Sequence, residues 1–119
     1  YMNEKIKKLS SEQIKFLKKK FQSLKFNNDF NLVYESQVPN TGIVLIDGEL
    51  SLIRKKKSLS INKPGIMLGV YELLNNIPTA HGCMVLGNTE LIMIQKSDLM
   101  EALSDKDSEL YHIIKEDIA

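Results

Sequence analysis

Between Phe30 and Ile94 no apolar run is longer than four residues, and each one is closed by residues that favour turns. The runs are Phe30-Asn-Leu-Val-Tyr34, Ile43-Val-Leu-Ile46, Glu49-Leu-Ser-Leu-Ile53, Ser58-Leu-Ser-Ile61, Gly82-Cys-Met-Val-Leu86 and Glu90-Leu-Ile-Met-Ile94. Segments this short, rich in Val, Ile and Leu and punctuated at regular spacing, read as strands of an antiparallel barrel or jelly roll. The sharpest turn signal is Asp47-Gly48, a pair suited to the two positive-φ positions of a type I′ hairpin. Gly87-Asn88 predicts a second hairpin. Leu50 and Leu52 fall on one face of their strand, and Arg54-Lys-Lys-Lys57 falls at a polar hairpin tip.

The helical period flanks this block on both sides. Ser10 and Gln13 form a capping-box pattern with Leu9 and Ile14 as its staple, which predicts a helix over 11–21. Ile14, Leu17 and Phe21 mark its buried face and Lys15 with Lys18-Lys-Lys20 its wet one. After the block, a helix over 98–103 capped by Ser97 and another over 109–118 are expected. Leu110, Ile113, Ile114 and Ile118 form an apolar stripe on the last one, which either docks on the sheet or pairs with a second copy. The whole reads as α+β: an antiparallel β-roll over 23–96 with an N-terminal helix and C-terminal helices, in a single domain over 1–119.

Composition narrows the function classes. Sixteen basic against fifteen acidic side chains leave a net charge of +1, which gives no global attraction to nucleic acid. A basic tip of four residues supplies too few phosphate contacts to hold DNA at moderate salt, so no direct nucleic-acid partner is expected. One cysteine and two histidines offer no metal-site spacing, and no metal is expected. Cys83 lies inside an apolar strand, where a free thiol behaves as a small hydrophobe, and no paired carboxylates occupy the core segments, so the chain reads as a non-enzyme. Met2 to Lys8 lacks an apolar h-region and no run can span a bilayer; a cytoplasmic protein without membrane contact is expected.

The stretch from Gly65 to Met84 departs from the strand rhythm. It follows a Pro64-Gly65 turn, opens a short helix at Gly69 and breaks at Asn75-Asn76-Ile77-Pro78. A glycine ahead of a helix start lets backbone N–H groups approach an anion. Helix, turn-punctuated roll and paired C-terminal helices, in this order, make the chain resemble the cyclic nucleotide-binding domain family over Leu9 to Leu103. Gly42 to Leu52, Pro64-Gly65, Gly69, and Glu90 to Ile94 followed by Ser97-Asp-Leu99 carry the likeness.

The resemblance implies a phosphate-binding cassette and a cyclic nucleotide as ligand, with no other cofactor. In that family the cassette runs Gly-Glu-Leu-Ala-Leu and then Pro-Arg-x-Ala, its glutamate taking the ribose hydroxyl and its arginine the cyclic phosphate. Here Val70 stands at the glutamate position and Thr79 at the arginine position. Leu68, Gly69, Val70, Tyr71, Thr79 and Ala80 are the candidate ligand residues. Glu72 is displaced by two positions from the lost carboxylate, His81 is the one basic side chain nearby, and Tyr71 could stack on a base or pack on the barrel. The expectation is a regulatory domain degenerate for cAMP and cGMP that works through a protein partner or a homodimer made by the C-terminal helix. The alternative is an active small-molecule sensor using the roll pocket.

Overall fold

The computed structural model describes residues 6–117. Its elements are β1 (Lys7–Lys8), α1 (Ser11–Lys20), β2 (Leu24–Phe26), β3 (Phe30–Val33), β4 (Thr41–Asp47), β5 (Leu50–Arg54), β6 (Lys57–Ile61), β7 (Ile66–Leu68), α2 (Val70–Asn75), β8 (Gly82–Val85), β9 (Thr89–Gln95), α3 (Lys96–Leu103) and α4 (Glu109–Ile114), followed by a 3₁₀ turn over Lys115–Asp117. The strands make two sheets with antiparallel pairing throughout the described residues, β1-β7-β4-β9-β2 and β3-β8-β5-β6. This is the antiparallel β-roll with flanking helices that the residue pattern predicts.

Two turns do a different job from the one expected. β4 and β5 belong to different sheets, so Asp47-Gly48 is a corner between sheets and not a hairpin. Of the two residues only Gly48 has positive φ, at 107°. A Cβ there would lie 2.5 Å from Thr89 Oγ1 and 2.7 Å from Thr89 Cα, so the bare backbone is what lets the corner press onto β9. Thr89 then closes it: its Oγ1 accepts from the Glu49 N–H at 3.0 Å and donates to the Glu49 carbonyl at 3.1 Å. Gly87-Asn88 likewise carries the chain from one sheet to the other, pinned by Gly87 N–H to Asp29 Oδ1 at 2.9 Å and Asn88 N–H to the Phe26 carbonyl at 2.7 Å. The two-residue hairpin with positive φ at both positions sits instead at Lys55 and Lys56, between Arg54 and Lys57, within the expected polar tip.

The roll has a core on each side of its larger sheet. Between the sheets lie Val33, Ile43, Leu45, Leu50, Leu52, Leu68, Cys83, Val85 and Leu91. On the outer face, Val44, Met67, Ile92 and Ile94 meet Leu17 of α1, Val70 and Leu73 of α2, Leu99 of α3 and the α4 stripe. The Ser10–Gln13 capping box is formed in full, Gln13 N–H to Ser10 Oγ at 3.2 Å and Ser10 N–H to Gln13 Oε1 at 2.9 Å. α3 starts earlier than expected: Gln95 is its N-cap, and Ser97 lies within the helix. α4 is capped by Ser108, whose Oγ accepts from the Tyr111 N–H at 3.0 Å. Its α-helical part ends at Ile114, and Ile118 lies outside the described residues. Of its two expected fates, Leu110, Ile113 and Ile114 take the docked one, buried in their own chain.

Replacing Gly48 by alanine places a side chain against Thr89 at a left-handed φ, and such strain costs about 1–3 kcal/mol. The urea midpoint of Gly48→Ala is expected to fall accordingly; an unchanged midpoint would mean that the corner is loose.

Candidate functional site

The segment joining β7 to β8 forms the cassette. Gly69, at φ 86°, brings its backbone against β4, where a Cβ would meet the Thr41 carbonyl oxygen at 3.2 Å. Six helical residues follow, closed by Asn76 in the left-handed region with its N–H turned back onto α2 carbonyls. The return leg is tied to the loop after β3: Ser36 N–H donates to the Thr79 carbonyl at 2.9 Å and Thr79 N–H to the Gln37 carbonyl at 2.8 Å.

Of the six predicted ligand residues, Leu68, Gly69, Val70 and Thr79 are buried, while Tyr71 and Ala80 are half-buried. Leu68 points between the sheets. Val70 points the opposite way, into the helical-side core, and its Cγ2 fills the space where a side chain at Gly42 would begin, 2.5 Å from an ideal Cβ. The Thr79 hydroxyl donates to the Tyr34 carbonyl at 3.4 Å. Leu68 to Tyr71 therefore sit together at the strand-to-helix junction, and Thr79 with Ala80 belongs to the stitched return leg.

A further group lies at the same end of the roll. Leu50 and Leu52 are buried on the inner face of β5, and period two places Arg54 next in that row. Cys83 and Val85 do the same on β8, with His81 one step before the strand, and Val33 on β3 leads to Glu35. Leu52 pairs with Cys83, Cys83 with Val33, and Ile53 with Gly82; Arg54 ends β5, His81 precedes β8, and Glu35 lies in the exposed turn after β3. Glu35 Oε1 accepts from the Lys55 N–H at 3.2 Å, which holds the carboxylate at the β5 end. His81 is 8% exposed. Burial pushes its pKa below the ordinary imidazole value, the Arg54 charge adds to the fall, and Glu35 opposes it. The period-two spacing that linked Leu50 to Leu52 could have found Arg54; sequence reasoning stopped at the hairpin tip.

The far end of α2 is tied to the C-terminal turn. Asn75 Nδ2 donates to the Asp117 carbonyl at 2.9 Å and to the Tyr71 carbonyl at 2.8 Å. Lys7 reaches the same turn, pairing with Asp117 at 3.8 Å and donating to the Ile113 carbonyl. Cys83 is buried, and no group of three or more metal-ligating side chains occurs among the described residues. No helix among them is long and apolar enough to cross a membrane. A cleft of about 310 Å³ between α1, α3 and α4, lined by Phe16, Asp98, Ala102 and Leu110, lies away from the cassette.

No protein-family model matches the sequence, and no curated protein matches it. Solved structures match the fold. One was solved in work on a cyclic-GMP-dependent signalling pathway that regulates bacterial phytopathogenesis. It has a TM-score of 0.73 and 15% identity over 92% of this chain and 90% of that one. The catabolite activator protein of Thermus thermophilus gives 0.62 and 16%, over 90% of this chain and 49% of that protein. PKAR CBD2 with Sp-2Cl-cAMPS bound gives 0.62 and 17%, over 91% and 74%. The chain has the cyclic nucleotide-binding domain fold.

Because the folded state holds His81 neutral, the unfolded chain binds the extra proton first as pH falls. Stability is therefore expected to be full above about pH 6.5 and to decline as pH drops below it. Urea midpoints of wild type and His81→Gln between pH 7.5 and 5.5 check this: the variant should lose part of the decline, and parallel curves would contradict it.

Proposed function

We propose that this chain is a regulatory domain of the cyclic nucleotide-binding type whose cassette is degenerate for cAMP and cGMP and which acts through protein contacts. One observation carries the reading: the two positions that would hold ribose and cyclic phosphate are uncharged and occupied with other contacts, Val70 in the core against Gly42 and Thr79 on the Tyr34 carbonyl. A charge-assisted hydrogen bond contributes about 1.5–3 kcal/mol. Losing both the carboxylate and the bidentate arginine removes roughly three decades of affinity at 1.4 kcal/mol per tenfold.

Two features support a protein-contact role. Tyr34, Val38 and Ile77 are exposed apolar side chains on the two segments joined by the Ser36–Thr79–Gln37 hydrogen bonds, so they border the cassette. The Asn75–Asp117 bond offers a route by which a partner pressing on α2 and Tyr71 biases the C-terminal turn. A homodimer through α4 would have to use its polar side, since the apolar stripe is taken internally. The second reading, an active small-molecule sensor, draws on Arg54, His81 and Glu35 at the roll end.

Thermal melts with cyclic AMP and cyclic GMP test the proposal. A ligand at 100 times its dissociation constant stabilises by about 2.7 kcal/mol, several degrees in a domain of this size. Neither nucleotide is expected to move the melting temperature at submillimolar concentration. A clear rise with either one would overturn the degenerate reading.

A further inference from the structure

Each sheet of the roll ends in strands whose outer backbone groups face no further strand, an arrangement that folded proteins blunt with short, bulged or charged edges. Three of the four edges follow that rule. β1 has two residues, β2 has three, and β3 shifts register between Asn31 and Val33. β6 does not: its five residues pair with β5 without a shift, contain no proline, and are exposed at four positions. The two-residue loop at Lys55-Lys56, with positive φ at both, fixes which of its backbone groups are open. In such a hairpin the flanking residues, Arg54 and Lys57, bond each other, and the ladder alternates from there. Lys57, Leu59 and Ile61 therefore bond to β5, and the N–H and C=O groups of Ser58 and Ser60 point outward. The side chains follow a matching pattern. Leu59 lies opposite Leu52 and Ile61 opposite Leu50, so they carry the inner apolar face out to the edge, where Leu59 is 45% exposed.

We propose that β6 is an interface for a second copy of this chain, the two β6 strands pairing antiparallel across a two-fold axis at Leu59 and joining the two smaller sheets into one. The strand is complementary to itself in this register. Ser58 and Ser60 of one copy exchange both backbone bonds with Ser60 and Ser58 of the other, which satisfies every outward group of the pair. Leu59 meets Leu59 as a non-hydrogen-bonded pair, the closer kind, on the inner face. Lys57 lies beside Ile61, so no like charges oppose each other within the strands, and the basic tips fall at opposite ends. Charge and turn geometry select this register: an axis at Ser60 would set Lys57 against Lys63, and an axis at Ser58 would draw the Lys55-Lys56 turn into the ladder. Because both copies use the same edge, the assembly closes as a dimer. The contact is separate from α4 and from the cassette, so it does not depend on whether a nucleotide binds.

Sedimentation equilibrium and amide exchange of the whole chain test this. The mass is expected to rise from monomer towards dimer with concentration. Exchange at Ser58 and Ser60 should slow in step, while Lys57 and Leu59, already bonded to β5, should change little. Ser60→Pro removes an N–H that β5 does not use, so the fold should survive and dimerisation should weaken by roughly tenfold or more. Leu59→Lys and Leu59→Glu should each be monomeric, because like charges face each other across the axis, and an equimolar mixture of the two should restore the dimer. A wild-type mass still monomeric at about 1 mM would overturn the proposal. So would a dimer that survives Ser60→Pro, or association of Leu59→Lys that is the same alone as in the mixture. Growth beyond the dimer would overturn it as well, because it seats β6 on a different edge of the next copy. A monomer whose melting temperature is unmoved by cyclic AMP refutes this interface alone and leaves the degenerate cassette standing, whereas a dimer stabilised by cyclic AMP refutes the cassette reading alone.

Discussion

The contact between Val70 and the bare backbone of Gly42 decides how the helical side of this molecule meets the roll. Gly42 is buried in β4, and the Val70 methyl occupies the room its missing side chain leaves. β-branched valine has little rotamer freedom in a helix, so the position of α2 follows the position of that methyl. From α2 the constraint passes to Leu73 in the shared core and, through Asn75, to the C-terminal turn at Asp117. The same contact commits the Val70 side chain to the core. A carboxylate could not stay there without burying a charge in an apolar cluster, which is costly unless it is paired.

The roll end is shaped by where the chain changes sheets. The corners at Gly48 and Gly87-Asn88 gather at one end, clamped by Thr89, Asp29 and the Phe26 carbonyl. The opposite end is left to the β5–β6 tip, the start of β8 and the cassette. There the sequence of β5 passes from Leu52 to Arg54, and His81 stands just before β8. An apolar interior that turns polar at its mouth is the usual layout of a small-molecule site.

Much of this was legible in the residues, and the failures have physical causes. The strands over 30–61 and 82–94 were readable because their short apolar runs are closed by turn residues, and α1 because Ser10 and Gln13 cap it locally. Asp47-Gly48 was misread because its partner, Thr89, is remote in sequence and local turn preference cannot register a tertiary clamp. β7 was missed because its three residues, between Gly65 and Gly69, are too short a run to separate from the turn and helix start around them, and Ser97 was misplaced because Gln95 caps α3 through backbone geometry without a side-chain bond. At the site, the uncharged Val70 and Thr79 were visible from the cassette pattern. Their destinations in the core and on the Tyr34 carbonyl were not, because both depend on contacts remote in sequence.

A double-mutant cycle between positions 42 and 70 tests the central contact. Gly42→Ala should destabilise the chain by forcing a methyl into the Val70 side chain, and Val70→Ala should destabilise it by leaving a cavity. Combined, they should cost at least about 1 kcal/mol less than the sum of the two, within the range of coupling seen for touching residues. Strictly additive losses in urea unfolding would show that α2 does not rest on Gly42, and the reading of position 70 as structural would fail with it.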